Sequence, residues 1–316
     1  MKIGLIADEF TRVCLELENG VEVINLTPNN YLLEVGLKNL DLILIESAWL
    51  GIAGTWKGRV ALYEKQKKIK HISLLAKIGR LKNIPVVFWN KEDPVGFERF
   101  KHQIEHVDIC LTTDEKKVDE YKKILKPKQK VDVQNFFFQP KLHNPKTVGV
   151  DKALSDKVIF CGGYYQQEYP DRVQRLNDGI QTIGSDKIVI YDRFTSGASS
   201  WKNYGEGKRL NVKAAFNYKD SKYYYQQGCA HLNVNSLDGL TTMFSRRMLE
   251  LIACNQKVID LTNYKNKSLL SEFVIQAGSK DEVEQSLLKD KPDIDFQYLL
   301  SEFSVNCFIN KLKAII

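Results

Sequence analysis

Short apolar runs alternate with longer amphipathic stretches along the first half of the chain. Each run has about the length of one strand, and its apolar residues are nearly continuous. Six of these runs are predicted to be strands: 2–7, 21–26, 40–46, 84–89, 107–112 and 130–136. Between some of them lie stretches with helical periodicity, at 57–82 and 114–125. This alternation predicts a parallel sheet with helices on its faces.

The same alternation restarts after residues 138–156, which contain two prolines, show little periodicity and are predicted to be a linker. Strands are predicted at 157–165, where the run enters a glycine-rich turn, and at 187–193, 211–217, 229–236 and 256–262. Helices are predicted at 170–182, 219–228, 281–288 and 296–313, with another that follows the strand at 229–236 and has Arg246 and Arg247 in its first turn. We therefore predict an α/β protein of two facing Rossmann-like domains with a cleft between them. The domains would span 1–145 and 146–316, and the last helix could pack back on the first domain.

The composition is that of an ordinary globular protein, with 316 residues of which 43% are hydrophobic and 27% charged. The sequence has no run of 18 apolar residues, and its start, "MKIGLIADEF", indicates a buried strand and not a secretory signal. Six scattered cysteines without a CxxC motif indicate reduced thiols and a cytoplasmic protein. The five histidines do not cluster with them, so zinc is not expected.

The formal net charge is +7, and the excess concentrates in residues 64–82, "EKQKKIKHISLLAKIGRLK". Ile69, Ile72, Leu75 and Ile78 can face inward while the lysines face outward. One interpretation is an ordinary solvated surface helix. The other is a basic face for peripheral contact with an anionic membrane, at its inner surface, or with a polyanionic acceptor. No nucleic-acid partner is expected, because the excess is mild and no motif for one is present.

The stretch "TTMFSRRMLELIACNQKVIDL" predicts an amphipathic helix, capped at its start by Thr242 or Ser245. Its first turn holds Arg246 and Arg247, although a helix N-terminus carries partial positive charge and favours acidic residues. Two cations are tolerable there if an anion binds with them, as a diphosphate would. Glu250, four residues after Arg246, could accept hydrogen bonds from a ribose. The alternative is a surface ion pair between Arg246 and Glu250.

Polar residues follow several predicted strands of the second half, and the carboxyl ends of parallel strands lie at one edge of a sheet. Glycines at such an end let a ligand approach the backbone. The predicted donor-binding residues are Gly162, Gly163, Tyr164, Asp192, Arg193, Asn233, Asn235, Thr241, Thr242, Ser245, Arg246, Arg247 and Glu250.

Five stretches together resemble the CgeB-like (spore-maturation-protein-like) glycosyltransferases, which have GT-B architecture. They are "FCGGYY", "IVIYDR", "LNVNSLDGLTTMFSRRMLELIACN", "ESAWLGIAGTWKG" and "IPVVFWNKEDP". The resemblance covers about residues 15–275. It implies two facing Rossmann-like domains, a nucleotide-sugar donor held by the C-terminal one, and transfer with retention.

The chain departs from the family pattern in two places. The family block ends in glycine, whereas this chain has Asn255, a residue that tolerates left-handed backbone. The His-Thr segment often seen near the family's C-terminus is absent from "SEFSVNCFIN", which leaves open the role of the last helix.

The N-terminal motifs fit the acceptor side of such a site. Trp49, Trp56 and Trp89 could stack on a sugar ring or pack in the core, and Asn90 and Lys91 are further acceptor-binding candidates. The catalytic candidates are Glu46, Glu92 and Asp93. Glu92 or Asp93 could act as a general base, orient an acceptor hydroxyl, or pair with Lys91 or Arg99.

No metal and no cofactor is predicted. The single Asp-x-Asp, Asp293 to Asp295, lies in a late polar connection, and the arginines could neutralise the leaving diphosphate. The predicted function is sugar transfer from a nucleotide sugar to a glycan, lipid-linked or protein acceptor, such as a cell-surface polymer. A nucleotide-sugar epimerase of the same architecture and a non-catalytic polyanion-binding protein stay open as alternatives.

Overall fold

The computed structural model describes residues 1–63, 70–194, 196–197, 199–204, 210–238, 240–262 and 268–316. The chain forms two compact units. Unit 1 comprises Met1–Gln139 and Phe303–Ile316, and unit 2 comprises Pro140–Glu302. The basic segment 64–69 lies outside the described residues.

Unit 1 contains a six-stranded parallel sheet. Its strands are β1 (Lys2–Ile6), β2 (Glu22–Asn25), β3 (Leu42–Glu46), β4 (Val86–Asn90), β5 (Ile109–Thr112) and β6 (Lys130–Val133), in the order β2-β1-β3-β4-β5-β6. Its helices before the linker are α1 (Glu9–Glu16), α2 (Tyr31–Leu37), α3 (His71–Leu81), α4 (Phe97–Phe100) and α5 (Val118–Ile124). β3 and β4 are buried at every position because both their faces are covered, which explains their continuous apolar runs.

Unit 2 repeats this design. Its strands are β7 (Val158–Cys161), β8 (Ile188–Tyr191), β9 (Asn211–Lys213), β10 (Ala230–Asn233), β11 (Val258–Asp260) and β12 (Ile275–Gln276), in the order β12-β11-β10-β7-β8-β9. Its helices are α6 (Pro170–Ile183), α7 (Ser221–Tyr225), α8 (Arg246–Ala253), α9 (Lys280–Leu288) and α10 (Phe296–Phe303). The last helix of the chain, α11 (Val305–Ile315), belongs to unit 1.

The predicted fold class is confirmed, since both units are doubly wound parallel sheets of the GT-B type. The predicted cleft stays a prediction. The prediction of one helix over 296–313 is wrong, because Ser304 leaves the helical conformation and its hydroxyl caps α11 by accepting from Cys307 N. In the predicted 57–82 stretch, the described helix covers only 71–81.

Candidate functional site

The strand order of the second sheet reverses between β7 and β10, and ligands of doubly wound sheets bind at the carboxyl ends beside such a reversal. β7 ends at Cys161 and leads directly into Gly162 and Gly163. β10 ends at Asn233, and a loop connects it to α8, which begins at Arg246. The predicted glycine turn and the predicted arginine helix therefore follow the two strands that flank the reversal.

Arg247 connects these two strand ends. Its Nη1 donates to the carbonyl oxygen of Cys161, and its Nη2 donates to Oδ1 of Asn233 over 3.0 Å. A Cβ on Gly162 would lie 2.6 Å from Nη1, and one on Gly163 would lie 2.4 Å from the ring of Phe194. The glycines thus allow close approach of protein side chains, and approach by a ligand stays a prediction.

A second guanidinium, that of Arg172, lies against the same turn and was not among the predicted residues. Arg172 is 4% exposed, and its Nη1 and Nη2 donate over 3.2 Å each to the carbonyl oxygens of Tyr164 and Gly163. The guanidinium carbons of Arg172 and Arg247 lie 5.9 and 4.8 Å from the ring centroid of Phe160. Arg172 occupies the first turn of α6, where acidic residues are favoured. The same sequence signal that identified Arg247 could therefore have identified Arg172.

No carboxylate of the described residues compensates either guanidinium. In the part of the chain that the structure describes, neither Arg172 nor Arg247 forms an ion pair, whereas nearby Arg175 pairs with Asp238 over 3.0 Å. Burial, together with the charge of Arg247, lowers the pKa of Arg172 to about 10, and burial also lowers the pKa of Arg247. Desolvated cations are stabilised by a neighbouring anion. The carboxyl ends of β7 and β10, where the strand order of unit 2 reverses, are therefore suited to an anionic group.

A buried amide network fixes the start of α8. Asn233 is fully buried, its Nδ2 donates to Asp260 Oδ1 over 3.1 Å, and its Oδ1 accepts from the Ser245 hydroxyl over 2.8 Å. Ser245 also accepts from Met248 N, which confirms it as the N-cap. Oδ1 of Asn235 accepts from Ser245 N over 3.1 Å. The backbone amides of the first turn and the side chain of Arg247 are thereby held in place by the protein itself.

The side chain of Glu250 is more deeply buried than contact with a ribose would require. It is 2% exposed and accepts hydrogen bonds from the hydroxyls of Tyr218 over 2.5 Å and Tyr225 over 3.1 Å. Burial raises the pKa of its carboxyl, and the charge of Arg246 opposes that rise. The structure places Glu250 on the buried side of α8 as an internal acceptor, and its contact with a ribose stays a prediction.

The other predicted donor residues differ in accessibility. Asp192 is 5% exposed and accepts from Phe194 N, Trp201 N and the Ser200 hydroxyl over 2.8–3.0 Å, so it folds the loop after β8. Arg193 is exposed, and its guanidinium carbon lies 5.7 Å from the Phe194 ring centroid. Thr241 is half-buried, whereas Thr242 and Tyr164 are buried.

A different cluster occupies the reversal of the first sheet, between β1 and β3. Lys91 Nζ lies 3.1 Å from Asp8 Oδ2 and 2.5 Å from Glu46 Oε1. Glu46, predicted as a catalytic carboxylate, is fully buried and also accepts from Asp8 N and the Thr11 hydroxyl. Its predicted role is corrected, because an enclosed carboxylate that holds Lys91 and the end of β1 does not face an acceptor.

Asp8 is the carboxylate of this cluster that reaches the surface, with its side chain 17% exposed. It accepts from the backbone N–H groups of Trp49, Leu50 and Gly51 over 2.8–3.0 Å. Burial alone would raise the pKa of Asp8, but the charge of Lys91 and these N–H groups lower it to about 2. Sequence reasoning missed Asp8, although it is the first charged residue after β1.

Asp93 and Asn90 belong to an internal network. Both are fully buried, and Asp93 accepts from Asn90 Nδ2 over 2.6 Å, from the Thr112 hydroxyl over 2.6 Å and from the Tyr121 hydroxyl over 2.7 Å. Burial raises the pKa of Asp93 to about 7, against the effect of the hydroxyl donors. The predicted roles of Asp93 as a base and Asn90 as an acceptor contact are corrected, since neither side chain is accessible. Glu92 is half-buried.

Two of the three predicted stacking tryptophans are core residues. Trp56 is fully buried, and its Nε1 donates to the Leu26 carbonyl over 2.7 Å. Trp89 is fully buried and stacks on Phe137 with ring centroids 5.3 Å apart. Neither ring can stack on a sugar, which corrects both predictions. Trp49 is half-buried, and its ring meets that of Phe100 edge to face at 5.3 Å.

Among the described residues, no group of three or more His, Cys, Asp or Glu side chains could hold a metal ion, and no helix is long and apolar enough to cross a membrane. In the Asp-x-Asp stretch, Asp295 accepts from the backbone N–H groups of Gln297 and Tyr298 at the start of α10.

No protein-family model matches the chain, and no curated protein matches it in sequence. Solved structures are similar in fold. An alpha-glucosyltransferase in complex with UDP and a 13-mer DNA has a TM-score of 0.62 at 12% identity, covering 99% of this chain and 98% of its own. Anabaena Alr3699/HepE in complex with UDP has a TM-score of 0.57 at 12% identity, covering 99% and 92%. Sucrose-phosphate synthase from Thermosynechococcus elongatus has a TM-score of 0.51 at 10% identity, covering 87% and 73%.

At these identities the likeness shows the fold alone, which is that of GT-B glycosyltransferases. The resemblance to the CgeB-like family stays a prediction.

Proposed function

We propose that the chain is a glycosyltransferase that moves a sugar from a nucleotide sugar, with uridine diphosphate as the leaving group, to a glycan, lipid-linked or protein acceptor. The observation that carries this proposal is the pair of guanidiniums, Arg172 buried and Arg247 half-buried, beside the glycine turn and without a carboxylate partner in the described chain. UDP is proposed as the diphosphate because two structures of the same fold were solved with UDP.

The chemistry follows from where charge develops. In the transfer, the bond between the anomeric carbon and the β-phosphate oxygen breaks, a bond from an acceptor oxygen to that carbon forms, and the acceptor's proton passes to the released diphosphate or to solvent. Negative charge therefore grows on the diphosphate, where fixed donors stabilise the transition state most. Arg247 is fixed by Cys161 and Asn233, and α8 adds the partial positive charge of its N-terminus.

On the acceptor side, we assign the accessible carboxylate to Asp8. Its low pKa keeps it ionised at neutral pH, so it can accept a hydrogen bond from an acceptor hydroxyl but is a weak general base. Lys91 fixes its orientation. Retention of stereochemistry and independence of metal are part of the proposal, as are a cytoplasmic location and synthesis of a cell-surface polymer. Trp49, Lys91 and Glu92 remain proposed acceptor-side residues.

The test compares sugar-nucleotide turnover of the wild type, Arg246→Ala and Arg247→Ala. We expect the loss of Arg247 to lower turnover by roughly 100-fold or more, since fixed donors to a developing anion contribute about 10²–10³ in rate. Arg175→Ala is the matched control, because Arg175 already pairs with Asp238. Turnover near the wild-type rate in both Arg246 and Arg247 variants would show that the assignment is wrong.

The same assay separates the two alternatives. A nucleotide-sugar epimerase would convert the donor alone into an isomer, whereas a glycosyltransferase would only hydrolyse it slowly. A polyanion-binding protein would show strong, salt-dependent binding that UDP does not affect.

Peripheral membrane contact through residues 64–82 is a separate proposal. In the described part, α3 buries Ile72 and Leu75 and exposes Lys77, as expected for a helix with a basic outer face. Co-sedimentation with anionic but not neutral liposomes would support this contact, and equal co-sedimentation with both would contradict it.

A further inference from the structure

A pocket of about 320 Å³ in unit 1 shares no lining residue with the polar cluster of Asp8, Glu46 and Lys91. It is lined by Pro28, Asn29, Gly54, Thr55, Lys57 and Arg59. Its volume is within the range of small-ligand pockets, about 300–1,000 Å³. We infer that this pocket is a binding site for a phosphate group.

The pocket is built on the carboxyl edge of the first sheet, which is where ligands of such sheets bind. One wall, Pro28 and Asn29, follows the end of β2. The other wall, residues 54–59, belongs to the connection after β3. Trp56 holds the two walls together, since its fully buried ring donates from Nε1 to the Leu26 carbonyl over 2.7 Å.

The charges of the lining residues favour an anion. Lys57 and Arg59 contribute two cations, and none of the six lining residues carries a carboxylate. Within the described ranges, neither Lys57 nor Arg59 forms an ion pair. Arg59 Nη1 lies 3.1 Å from His71 Nε2, so the imidazole ring of His71 contacts this guanidinium and can report on its environment.

The residue types favour phosphate over other anions. A guanidinium binds two phosphate oxygens through parallel N–H groups, and an ammonium adds a mobile point charge. The open volume leaves room for the group that carries the phosphate. If the chain transfers a sugar, this phosphate belongs to the acceptor, and that step rests on the proposed function.

The test uses the full chain, inorganic phosphate as the probe, and His71 as the reporter. The chain has only five histidines, so the ring resonances of ¹⁵N-histidine-labelled protein can be assigned with His71→Gln. We expect phosphate to shift the His71 resonance saturably, and chloride at equal ionic strength not to do so. A linear response equal to that of chloride would overturn the inference.

Two variants keep the test specific. Arg59→Gln should weaken phosphate binding by roughly tenfold or more, since hydrogen bonds to charged groups contribute about 1.5–3 kcal/mol. Lys57→Gln, which leaves the Arg59–His71 contact intact, should weaken it severalfold. The exposed Lys77→Gln on α3 is the control and should bind like the wild type. Unchanged affinity in both pocket variants, with melting temperatures near wild type, would overturn the site.

Further probes identify the source of the phosphate. Competition by glycerol 3-phosphate would support a soluble phosphorylated acceptor, and saturation of the shift only by phosphatidic-acid vesicles would support a lipid headgroup. Binding of inorganic phosphate with no response to either ester would overturn the acceptor assignment. Saturation by a DNA oligonucleotide alone would also overturn it. Since no sugar nucleotide is present, these outcomes do not depend on the site in unit 2.

Discussion

The two units place opposite charge at equivalent points of similar sheets. At the reversal of strand order in unit 2, Arg172 and Arg247 lie beside a glycine turn, and neither pairs with a carboxylate of the described chain. At the reversal of unit 1, Asp8 and Glu46 share one lysine, Lys91. Both sheets are parallel and six-stranded, so the difference comes from the residues that follow the strand ends. One scaffold thus carries two guanidiniums at this point in one unit and two carboxylates with a lysine in the other, and the proposed anion and hydroxyl sites rest on that difference.

The comparison of the two units depends on which carboxyl groups of unit 1 are ionised. Asp93 gives the largest expected effect, which is on the free energy of unfolding. Its pKa is raised from 3.8 to about 7, so the folded state binds more protons than the unfolded state between these values. The free energy of unfolding therefore falls as pH rises from about 4 to about 7, by up to roughly 4 kcal/mol. Asp93→Asn should remove this fall.

Urea unfolding followed by tryptophan fluorescence measures this pH-dependent fall in stability. Three of the four tryptophans, Trp49, Trp56 and Trp89, lie in unit 1 and report on its unfolding. Asp119→Asn, at an exposed position, is the control. An equal slope of stability against pH in the wild type and Asp93→Asn would contradict the assignment.

Asp8 should have the opposite pH dependence. Its folded-state pKa of about 2 lies below the model-peptide value of 3.8, so its stabilisation is present above pH 4 and is lost as pH falls towards 2. By the same arithmetic the effect is about 2 kcal/mol. Asp8→Asn should lower stability by this amount at pH 7 and flatten the acid limb of the same unfolding curve. If Asp8→Asn is as stable as the wild type at pH 7, the ionised Asp8 does not stabilise unit 1, and the comparison of charges loses this residue.

Arg172 tests whether the cations of unit 2 act as a pair. Arg172→Lys keeps the charge but cannot donate to Gly163 and Tyr164 together. We expect roughly tenfold weaker UDP binding by isothermal titration calorimetry, since the glycine turn loses its support. Arg175→Lys should bind like the wild type. Weakening of equal size in both variants would indicate a general effect of helix α6.

The smallest expected effect is that of Ser245→Ala. Loss of an N-cap hydroxyl costs about 1 kcal/mol of stability. UDP affinity should fall by less than about threefold, because Arg247 keeps its contacts with Cys161 and Asn233. Thermal unfolding and calorimetry measure the two quantities. A tenfold loss of affinity would assign Ser245 a direct contact with the ligand.

Much of the fold could be predicted from alternation, because buried parallel strands need continuous apolar runs. The position of Ser245 as a cap and the left-handed backbone of Asn255, with φ of 60°, also followed from residue type. The break at Ser304 could not be predicted, since it depends on pairing with distant Phe138.

The site was less predictable, for a physical reason. Polar residues at strand ends were identified by position, but position does not tell the depth of a side chain. Glu46 and Asp93 are buried and satisfied by distant partners, such as Lys91 and Tyr121, whereas Asp8 one strand away reaches the surface. Trp56 and Trp89 likewise fill the core.

The most direct test of the central claim is the affinity of the wild type and Arg247→Lys for UDP, measured by calorimetry. We expect saturable binding to the wild type and at least tenfold weaker binding to Arg247→Lys, because lysine cannot bridge Cys161 and Asn233 as the guanidinium does. Arg175→Lys serves as the reference. Equal affinity of the two proteins, or no binding of any nucleoside diphosphate to the wild type, would contradict the claim that the reversal in unit 2 is a nucleotide site.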